Sequence, residues 1–300
     1  MKSPLLTQLH KGKILVFDGA MGTQLFARGL DSGSCPEELN FNQQDVLKAI
    51  AAEYLAAGAD VIQTNTFGGS ALKLTHYQLG EQIEMINQEA VKSVRSTAGN
   101  QAYVSGSCGP SGEILLPYGT ISEERMYQNF HEQITILVKS GVDLICIETM
   151  TDLREAELAL QAAKTVSSEL PTAVTLSFTM TPRGFFTIMG NSIADCVTGL
   201  SAAGADILGS NCGNGLEMMI QICAEFRYLT DLPILIQSNA GLPMIEADSL
   251  VYPESPSFFE EHVPALIQAG ANMIGGCCGT GPEHIRAIRS AVDRIQSESG

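Results

Sequence analysis

The amino-acid sequence predicts a (β/α)₈ barrel, and three observations lead to that fold class. Short aliphatic runs alternate eight times with segments in which apolar residues recur three and four places apart. The aliphatic runs are apolar throughout, which is typical of strands buried on both faces of a parallel sheet. Four of these runs also follow a glycine that stands two places before Asp or Asn, as in 57-AGADVIQTNTF, 140-SGVDLICIETM, 203-AGADILGSNCG and 269-AGANMIGGCCG.

The predicted strand–helix units fill the chain in order. The other four strands have different entry turns and are 14-ILVFDGAMGT, 102-AYVSGSCGP, 172-TAVTLSFT and 233-PILIQSNA. The predicted helices are 45-DVLKAIAAEYLAAG, 81-EQIEMINQEAVKSVRS, 122-SEERMYQNFHEQITILVKSG, 152-DLREAELALQAAKTVSS, 192-SIADCVTGLSAAG, 216-LEMMIQICAEFRYLT, 257-SFFEEHVPALIQAG and 283-EHIRAIRSAVDRIQ. A doubly wound open sheet is the alternative, but 18-DGAMGTQ lacks the GxGxxG spacing that usually follows its first strand. We therefore expect one barrel domain that spans residues 1–300.

The composition narrows the functional classes. The N-terminal residues lack the apolar region of a signal peptide, and no apolar run reaches the roughly 18 residues needed to span a bilayer. We therefore expect a cytoplasmic protein whose eight cysteines are free thiols or metal ligands and not a disulfide framework. The formal net charge of −16 argues against binding to nucleic acids or anionic membranes, because both need a basic surface.

Polar and reactive residues stand at the predicted carboxyl ends of several strands. Active sites of (β/α)₈ barrels form at those ends, so residues that are far apart in sequence meet on one rim. The predicted strand ends, in order, are Asp18-Gly19, Asn65-Thr66, Cys108-Gly109, Glu148-Thr149, Thr179, Asn211-Cys212, Asn239 and Cys277-Cys278. Among these we expect the site to include Asp18, Gly19, Glu148, Cys212, Asn239, Cys277 and Cys278. Cys108 also ends a strand and is a further candidate for the site.

Three of these residues, Cys212, Cys277 and Cys278, have the chemistry of a zinc site. The predicted strands that end at Cys212 and at Cys277 are separated by only one strand. Glycines flank the Cys277–Cys278 pair and permit a turn in which both thiols point the same way. Three thiolates suit Zn²⁺ and leave the fourth tetrahedral position for a displaceable group or a substrate. The helix predicted to start near Pro282 would present its positive N-terminal end to these thiolates.

Other interpretations of the cysteines stay open at this level. A vicinal disulfide between Cys277 and Cys278 would be strained and would leave Cys212 without a role. A purely structural zinc would need a fourth thiolate or imidazole, and no CxxC or nearby histidine supplies one. We interpret four other cysteines as buried packing residues, namely Cys35, Cys146, Cys196 and Cys223.

Asp18 and Glu148 also have more than one interpretation. A carboxylate at a strand end often caps the next helix, and Asp-Gly is a common turn. Beside a zinc ion, the two groups could act as general acid and base or could hold a substrate ammonium group. A zinc ion with three thiolate ligands is a weak Lewis acid, but it still converts a bound thiol into its nucleophilic thiolate. The residues therefore predict alkyl transfer to a thiol, and the carboxylates suit a thiol that carries an α-amino group.

The chain resembles the homocysteine S-methyltransferase family over essentially its whole length. The motifs that carry the resemblance are 17-FDGAMGTQL, 36-PEELN, 64-TNTFGG, 109-GPSGE, 148-ET, 210-SNCG, 239-NAG and 275-GGCCGTGPEHI. The pairing of NCG with GGCCGT is highly specific, whereas the other motifs are weak individually. The GAMGT, PEELN, GPSGE and NAG motifs look most like the homocysteine module of cobalamin-dependent methionine synthase.

The resemblance implies a set of site residues on a (β/α)₈ barrel. It implies that zinc is held by the thiolates of Cys212, Cys277 and Cys278, with the sulfur of homocysteine as a further ligand. It also implies that Asp18, the backbone of Gly19 and Glu148 hold the amino acid end of homocysteine. In the methionine synthase branch, the residue that matches Asn239 fills the vacant zinc position when substrate is absent.

The resemblance also bears on the methyl donor. The betaine-using branch has a tyrosine soon after the second strand, and 65-NTFGGSALKL contains none, which argues against betaine. The sequence has neither a second, folate-binding barrel nor a DxHxxG cobalamin-binding segment, so we expect a partner corrinoid protein to supply methylcobalamin. A sulfonium donor of the S-methylmethionine type is the second expectation. A non-catalytic zinc or thiol redox sensor on a barrel scaffold is the alternative from another functional class.

Overall fold

Eight parallel strands form a barrel in the computed structural model, which describes residues 4–31, 33–246 and 249–298. The barrel strands are β1 (Leu15–Val16), β2 (Val61–Gln63), β3 (Tyr103–Cys108), β4 (Leu144–Met150), β5 (Thr172–Leu176), β8 (Ile207–Asn211), β9 (Ile234–Ser238) and β12 (Met273–Gly276). Their order around the sheet follows the chain, and β12 pairs with β1. A bridge between Phe17 and Val61 brings the two remaining edges together. The predicted parallel barrel is therefore confirmed.

The helices that the apolar periodicity predicts all form around this barrel. They are α4 (Gln44–Ala56), α6 (Ile83–Ala98), α7 (Glu123–Lys139), α8 (Leu153–Val166), α9 (Ile193–Ala202), α10 (Leu216–Leu229), α11 (Pro256–Gln268) and α12 (Pro282–Glu298). Four of these helices begin with a side chain that accepts a hydrogen bond from a first-turn backbone nitrogen, which satisfies a donor that would otherwise lack a partner. The capping residues are Ser122, Asp152, Ser192 and Ser255.

Several short elements were not predicted, because they are too short for a periodic pattern to register. They are the helices α1 (Leu5–His10), α2 (Met21–Ala27), α3 (Leu39–Asn42) and α5 (Ala71–Thr75), and the hairpins β6 (Thr179–Thr181) with β7 (Gly184–Phe186) and β10 (Met244–Glu246) with β11 (Ser249–Val251). Each hairpin follows the carboxyl end of a barrel strand. The predicted fifth strand ran to Thr179, but β5 ends at Leu176 and Thr179 begins the first hairpin.

The repeated Asp or Asn has the same structural role in all four repeats. It stands one place before a barrel strand and accepts a hydrogen bond from a backbone nitrogen of the adjacent strand. The four bonds are Val16 N to Asp60 at 3.0 Å, Val104 N to Asp143 at 2.7 Å, Thr172 N to Asp206 at 2.8 Å and Ile234 N to Asn272 at 3.0 Å. Each acceptor also contacts a basic side chain, in order those of Arg289, Arg95, Lys164 and Arg227. The repeat thus fixes the pairing of alternate strands at the amino end of the barrel.

The short helix α1 packs against the amino end of the barrel. Its Leu5 and Leu9 are buried in one apolar cluster with residues from most of the barrel strands, among them Leu15, Leu144 and Met273. Burial of such side chains supplies most of the stabilisation of a barrel interior. The amino end is therefore filled, and open space is found at the carboxyl end. Across the described residues, no helix is long and apolar enough to cross a membrane.

Candidate functional site

A cavity of about 680 Å³ opens at the carboxyl ends of the barrel strands. Its lining includes six of the seven residues that the sequence predicts for the site, which are Asp18, Gly19, Glu148, Cys212, Cys277 and Cys278. The seventh, Asn239, is buried just after β9 and is not among the lining residues. The structure thus brings together residues at the carboxyl ends of β1, β4, β8 and β12 that are far apart in sequence.

The thiols of Cys212, Cys277 and Cys278 form a cluster on the wall of this cavity. Their sulfur atoms all lie within 4.8 Å of one another, and Sγ of Cys212 lies 3.8 Å from Sγ of Cys278. All three cysteines are free thiols and partly exposed. Over the described ranges, no other group of histidine, cysteine or acidic side chains has comparable geometry for a metal ion.

The backbone holds this cluster in unusual conformations. Gly279 ends the cysteine turn at a φ of 82°, and Cys212 has a φ of 61°, which is uncommon for a residue with a side chain. A hydrogen bond from Cys277 N to Ser238 O, 2.7 Å long, ties the turn to β9. Left-handed residues other than glycine persist where the surrounding structure holds them, and they concentrate at functional sites.

The donor set fits a zinc ion. Three sulfur donors at one cavity wall match an open zinc site, which has three protein ligands and one exchangeable position. Hydrogen bonds from the thiols of Cys212 and Cys277 lower the pKa of Cys278, so the cluster favours thiolate character at that sulfur. Oδ1 of Asn239 is buried and has no hydrogen-bond partner among the described residues. An unpartnered oxygen beside β9 is compatible with a displaceable ligand.

Tyr252 is a residue of the site that sequence reasoning missed. It follows β11 and lines the cavity beside the cysteine turn. A Cβ atom on Gly279 would lie 2.2 Å from Cγ of Tyr252, so the ring packs directly on that glycine. Burial, together with the nearby Cys278 thiol, raises the pKa of Tyr252 to about 12. No motif could have revealed this contact, because it depends on the hairpin that follows β9.

Glu148 lies within a hydrogen-bonded network in the cavity. Its Oε1 accepts hydrogen bonds from Nε2 of Gln63, at 2.7 Å, and from the Ser107 hydroxyl. Its Oε2 has a single, longer contact, 3.4 Å from Nδ2 of Asn211. Burial raises the pKa of Glu148 to about 7. The Oε2 atom therefore retains capacity to accept a hydrogen bond from a ligand.

Asn211 links the carboxylate network to the cysteine cluster. It directly precedes Cys212, and its Oδ1 accepts hydrogen bonds from Thr149 N and Thr175 Oγ1, both at 2.7 Å. Its Nδ2 donates to Thr149 Oγ1 at 2.7 Å. Thr149 has a φ of 58°, so the residue after Glu148 is strained in the same way as Cys212. The Asn211 side chain thus holds the residue that follows Glu148, and its backbone leads directly into Cys212.

Asp18 is the second buried carboxylate of the cavity. Its Oδ2 accepts a hydrogen bond from the backbone nitrogen of Gln63 at 2.8 Å, and its carbonyl accepts one from Gly276 N at 3.0 Å. Burial, together with the nearby charge of Glu148, raises the pKa of Asp18 to about 8. Neither carboxylate has a basic partner within the part of the chain that the structure describes. The two acids are therefore buried acceptors on one cavity without a neutralising cation from the described residues.

Gly19 is packed too tightly for any side chain. A Cβ atom there would lie 2.9 Å from Thr280 Oγ1 and 2.9 Å from the Tyr54 ring. Ala20 N donates to Thr280 Oγ1 at 3.2 Å, and the Tyr54 hydroxyl donates to Ala20 O at 3.0 Å. The first bond joins the loop after β1 to the loop after β12, and the second joins the loop after β1 to α4. The backbone of Gly19 is consequently presented to the cavity in a fixed position.

The remaining cysteines lie away from the cluster. All five are free and buried, and they are Cys35, Cys108, Cys146, Cys196 and Cys223. Cys108 ends β3 as expected but packs in the apolar core and does not line the cavity. Cys146 is two residues from Glu148 and lies in the apolar cluster at the amino end.

Comparison with known proteins agrees with this geometry. The family model described as homocysteine S-methyltransferase matches residues 15–292. Methionine synthase of Mycobacterium tuberculosis is 31% identical over 300 residues, which covers 95% of this chain and 25% of that protein. Methionine synthase of Mycobacterium leprae is 30% identical over 299 residues, which covers 94% of this chain and 24% of that protein. The chain thus spans about a quarter of the length of these curated relatives.

Solved structures give the same result. The metallated form of the homocysteine methyltransferase MmuM from Escherichia coli matches with a TM-score of 0.80 and 25% identity, covering 96% of this chain and 99% of that one. A methyltransferase from Methanosarcina mazei matches with a TM-score of 0.61 and 11% identity, covering 97% of this chain and 98% of that one. At this identity the match shows only that the two proteins share a fold. The resemblance found in the sequence is therefore confirmed, and the chain belongs to the homocysteine S-methyltransferase family.

Proposed function

We propose that this chain is a zinc-dependent methyltransferase that methylates the thiol of homocysteine to give methionine. The observation that carries the proposal is the presence of three clustered thiols and two buried carboxylates on one cavity. A thiol cluster alone would serve a structural metal equally well. The carboxylates supply what an amino acid substrate needs, and the family assignment supports homocysteine as that substrate.

Cys212, Cys277 and Cys278 would hold the zinc ion. When bound, the ion keeps a ligating thiol in its thiolate form, whereas a free alkyl thiol with a pKa of about 8.5 is mostly protonated at neutral pH. The Tyr252 ring packs on Gly279 at the end of the cysteine turn and lines the cavity beside these sulfurs. Asn239 would supply the displaceable oxygen when no substrate is bound.

Asp18, Gly19 and Glu148 would hold the amino acid end of homocysteine. The α-ammonium group has three donors, and Oε2 of Glu148 and the Asp18 carboxylate offer acceptors without competing cations. A bound ammonium favours the ionised form of both acids and so offsets the burial that raises their pKa values. The fixed backbone of Gly19 faces the same part of the cavity.

The proposed reaction is a single displacement at the methyl carbon. A bond forms between the homocysteine sulfur and that carbon while the bond from the carbon to the donor breaks. The donor keeps the electron pair of the broken bond, and the thiol proton is lost before the displacement. The protein orients the sulfur by holding the other end of the substrate, and such positioning adds to the effect of keeping the thiol ionised.

A corrinoid protein is the donor that we favour. Exposed apolar side chains stand on the loops and hairpins that follow the carboxyl ends of β3, β5 and β9, at the same end of the barrel as the cavity. They include Leu116 at 58% exposure, Tyr118 at 86%, Ile188 at 83%, Leu242 at 61% and Ile245 at 80%. Apolar groups concentrated on one face are typical of a surface that contacts another protein. The curated relatives are about four times as long as this chain. The rest of each relative is therefore long enough to include a domain that carries the methyl donor.

A sulfonium donor of the S-methylmethionine type is the second candidate. The observation that favours it is the aromatic character of the cavity lining, which contains Phe26, Phe67 and Tyr252. Aromatic faces attract organic cations when they are shielded from water. A small donor of this kind would fit within the cavity and would need no partner protein.

The test is a methyl-transfer assay with homocysteine and the zinc-loaded protein. Methylcobalamin, a methylated corrinoid protein, S-methylmethionine and betaine are compared as donors, and methionine is measured. We expect transfer from the corrinoid protein, with free methylcobalamin slower because it lacks the contacts to the rim. Full transfer by metal-free protein would contradict the zinc proposal. Absence of transfer from all four donors, together with reversible oxidation of Cys277 and Cys278 that alters partner binding, would favour the redox sensor instead.

A further inference from the structure

We propose that Gln63 is a positioning residue that makes the site selective for thiols carrying an α-amino group. This inference rests on the proposed function, because it concerns how the amino acid end of homocysteine is held. Gln63 ends β2, is partly exposed and lines the cavity. It is the residue through which the two buried carboxylates are connected.

Gln63 contacts both acids, with different groups. Its backbone nitrogen donates to Oδ2 of Asp18 at 2.8 Å. Its side-chain Nε2 donates to Oε1 of Glu148 at 2.7 Å. Gln63 therefore links the two carboxylates directly, although one follows β1 and the other lies in β4.

These contacts leave one oxygen of each acid available. Oε1 of Glu148 is occupied by Gln63 and Ser107, whereas Oε2 has only the 3.4 Å contact to Asn211. On Asp18, Oδ2 is occupied, and Oδ1 receives no hydrogen bond from another residue within the described chain. An ammonium group has three donors and no acceptor, so two free carboxylate oxygens match its requirement.

The orientation of the Gln63 amide is itself fixed. Nε2 of Gln237 lies 3.3 Å from Oε1 of Gln63, so the amide oxygen has a donor and the amide nitrogen faces Glu148. The amide is neutral, and it therefore positions the carboxylates without cancelling their charge. A lysine or arginine in this place would pair with Glu148 and compete with the substrate ammonium.

The test compares two ligands that differ in one group. Homocysteine and 4-mercaptobutanoate share the thiol and the carboxylate, but only homocysteine has the α-amino group. The substitution Gln63→Leu removes the bond to Glu148 and keeps the backbone bond to Asp18. We expect the Kd of the zinc-loaded protein for homocysteine, measured by calorimetry, to rise roughly tenfold, as for one lost hydrogen bond to a charged group. The Kd for 4-mercaptobutanoate should stay within about twofold, and kcat should change less than KM.

Three further variants complete the design. Gln237→Leu leaves the bond to Glu148 in place and should cause a smaller loss of homocysteine affinity. Gln161→Leu makes the same chemical change on the exposed surface of α8 and should alter neither affinity. Gln63→Asn, whose amide is one methylene short of Glu148, should reproduce the loss of selectivity if Gln63→Leu does not fold.

Two results would overturn the inference. Equal weakening of both ligands would assign Gln63 a purely structural role, and unchanged homocysteine affinity would show that its bond to Glu148 has no effect on binding. Failure of the proposed function gives a different result, since the unsubstituted protein would then bind homocysteine no better than 4-mercaptobutanoate.

Discussion

The two ends of the barrel use acidic residues in opposite ways. At the amino end, Asp143 and Asp206 each accept a backbone hydrogen bond and lie beside a basic side chain, at 2.8 Å from Arg95 and 2.5 Å from Lys164. At the carboxyl end, Asp18 and Glu148 are buried without such a cation, and burial raises the pKa of both. The amino-end acids stabilise strand pairing, whereas the carboxyl-end acids keep oxygen atoms that can accept hydrogen bonds from a ligand.

The difference shows that this barrel places acids that stabilise the fold at its amino end and acids available to a ligand at its carboxyl end. Groups that lack a partner cost stability in the free protein, and strained or unpartnered groups concentrate at binding and catalytic sites. The carboxyl end contains the unpartnered Asn239 oxygen and the left-handed residues Thr149 and Cys212, in addition to the two acids. Substitutions at the carboxyl end should therefore change metal or substrate binding, whereas substitutions at the amino end should change the free energy of unfolding.

The largest effect is expected from Cys277→Ser, because it would remove one of the three thiols that we propose as zinc ligands at the carboxyl end. A zinc ion with two remaining thiolates should bind far more weakly, so we expect zinc content well below one per chain. Methyl transfer should fall by at least roughly a thousandfold, as for loss of an essential activating group. Metal analysis and a single-turnover assay measure the two quantities. Retention of stoichiometric zinc would contradict the assignment of Cys277 as a ligand.

A change at Glu148 should affect binding and leave folding intact. Glu148→Gln keeps the shape of the side chain but removes the charge that would hold the substrate ammonium. We expect KM for homocysteine to rise roughly tenfold to a hundredfold, as for a lost charged hydrogen bond. Glu148→Gln should not lower the free energy of unfolding at pH 8. A large loss of stability with unchanged KM would place Glu148 with the structural acids.

The pH dependence of stability gives a second test at Glu148. Its pKa is about 7 in the folded protein and ordinary, near 4.5, in the unfolded chain. Between these values the folded state holds a proton that the unfolded state releases, so the free energy of unfolding decreases as pH rises from about 4.5 to 7. Denaturant unfolding of the metal-free protein should show this decrease. Glu148→Gln should weaken it, and an identical pH profile in the variant would contradict the assigned cause.

The matched change at the amino end is Asp206→Ala. It leaves the nitrogen of Thr172 and the ammonium of Lys164 without their acceptor. We expect the free energy of unfolding to fall by about 1–3 kcal/mol, as for a broken, partly buried hydrogen-bonded pair. KM for homocysteine and zinc content should not change. A loss of substrate affinity without a loss of stability would break the proposed division between the two ends.

The smallest effect is expected from Cys146→Ala. This thiol is fully buried among apolar residues and lies outside the cysteine cluster. Removing it should cost about 1 kcal/mol through lost packing. Zinc content should stay the same, as measured by metal analysis beside Cys277→Ser. A fall in zinc content equal to that of Cys277→Ser would show that the cluster alone does not define the metal site.

The sequence predicts the barrel well because local sequence patterns mark most of its strands and helices. The repeated Gly-x-Asp before four strands and the continuous apolar runs mark the strands directly. The rim residues were also predictable, since a barrel brings the carboxyl ends of its strands together. The sequence alone therefore groups Cys212, Glu148 and Cys277.

The supporting residues of the site could not be predicted in the same way. Gln63 and Ser107 are common polar residues, and their importance arises only because β2, β3 and β4 place them around Glu148. Tyr252 reaches the cysteine turn through a short hairpin with no periodic signal. The left-handed backbone of Cys212 results from packing at the end of β8 and leaves no mark in the sequence.

The central claim is that the three thiols form a metal centre whose open position receives the homocysteine sulfur. X-ray absorption at the zinc edge, recorded before and after homocysteine is added, tests it most directly. The account predicts three sulfur ligands and one lighter ligand at first, and four sulfur ligands at about 2.3 Å once homocysteine is bound. An unchanged count of three sulfurs in the homocysteine complex would contradict the account.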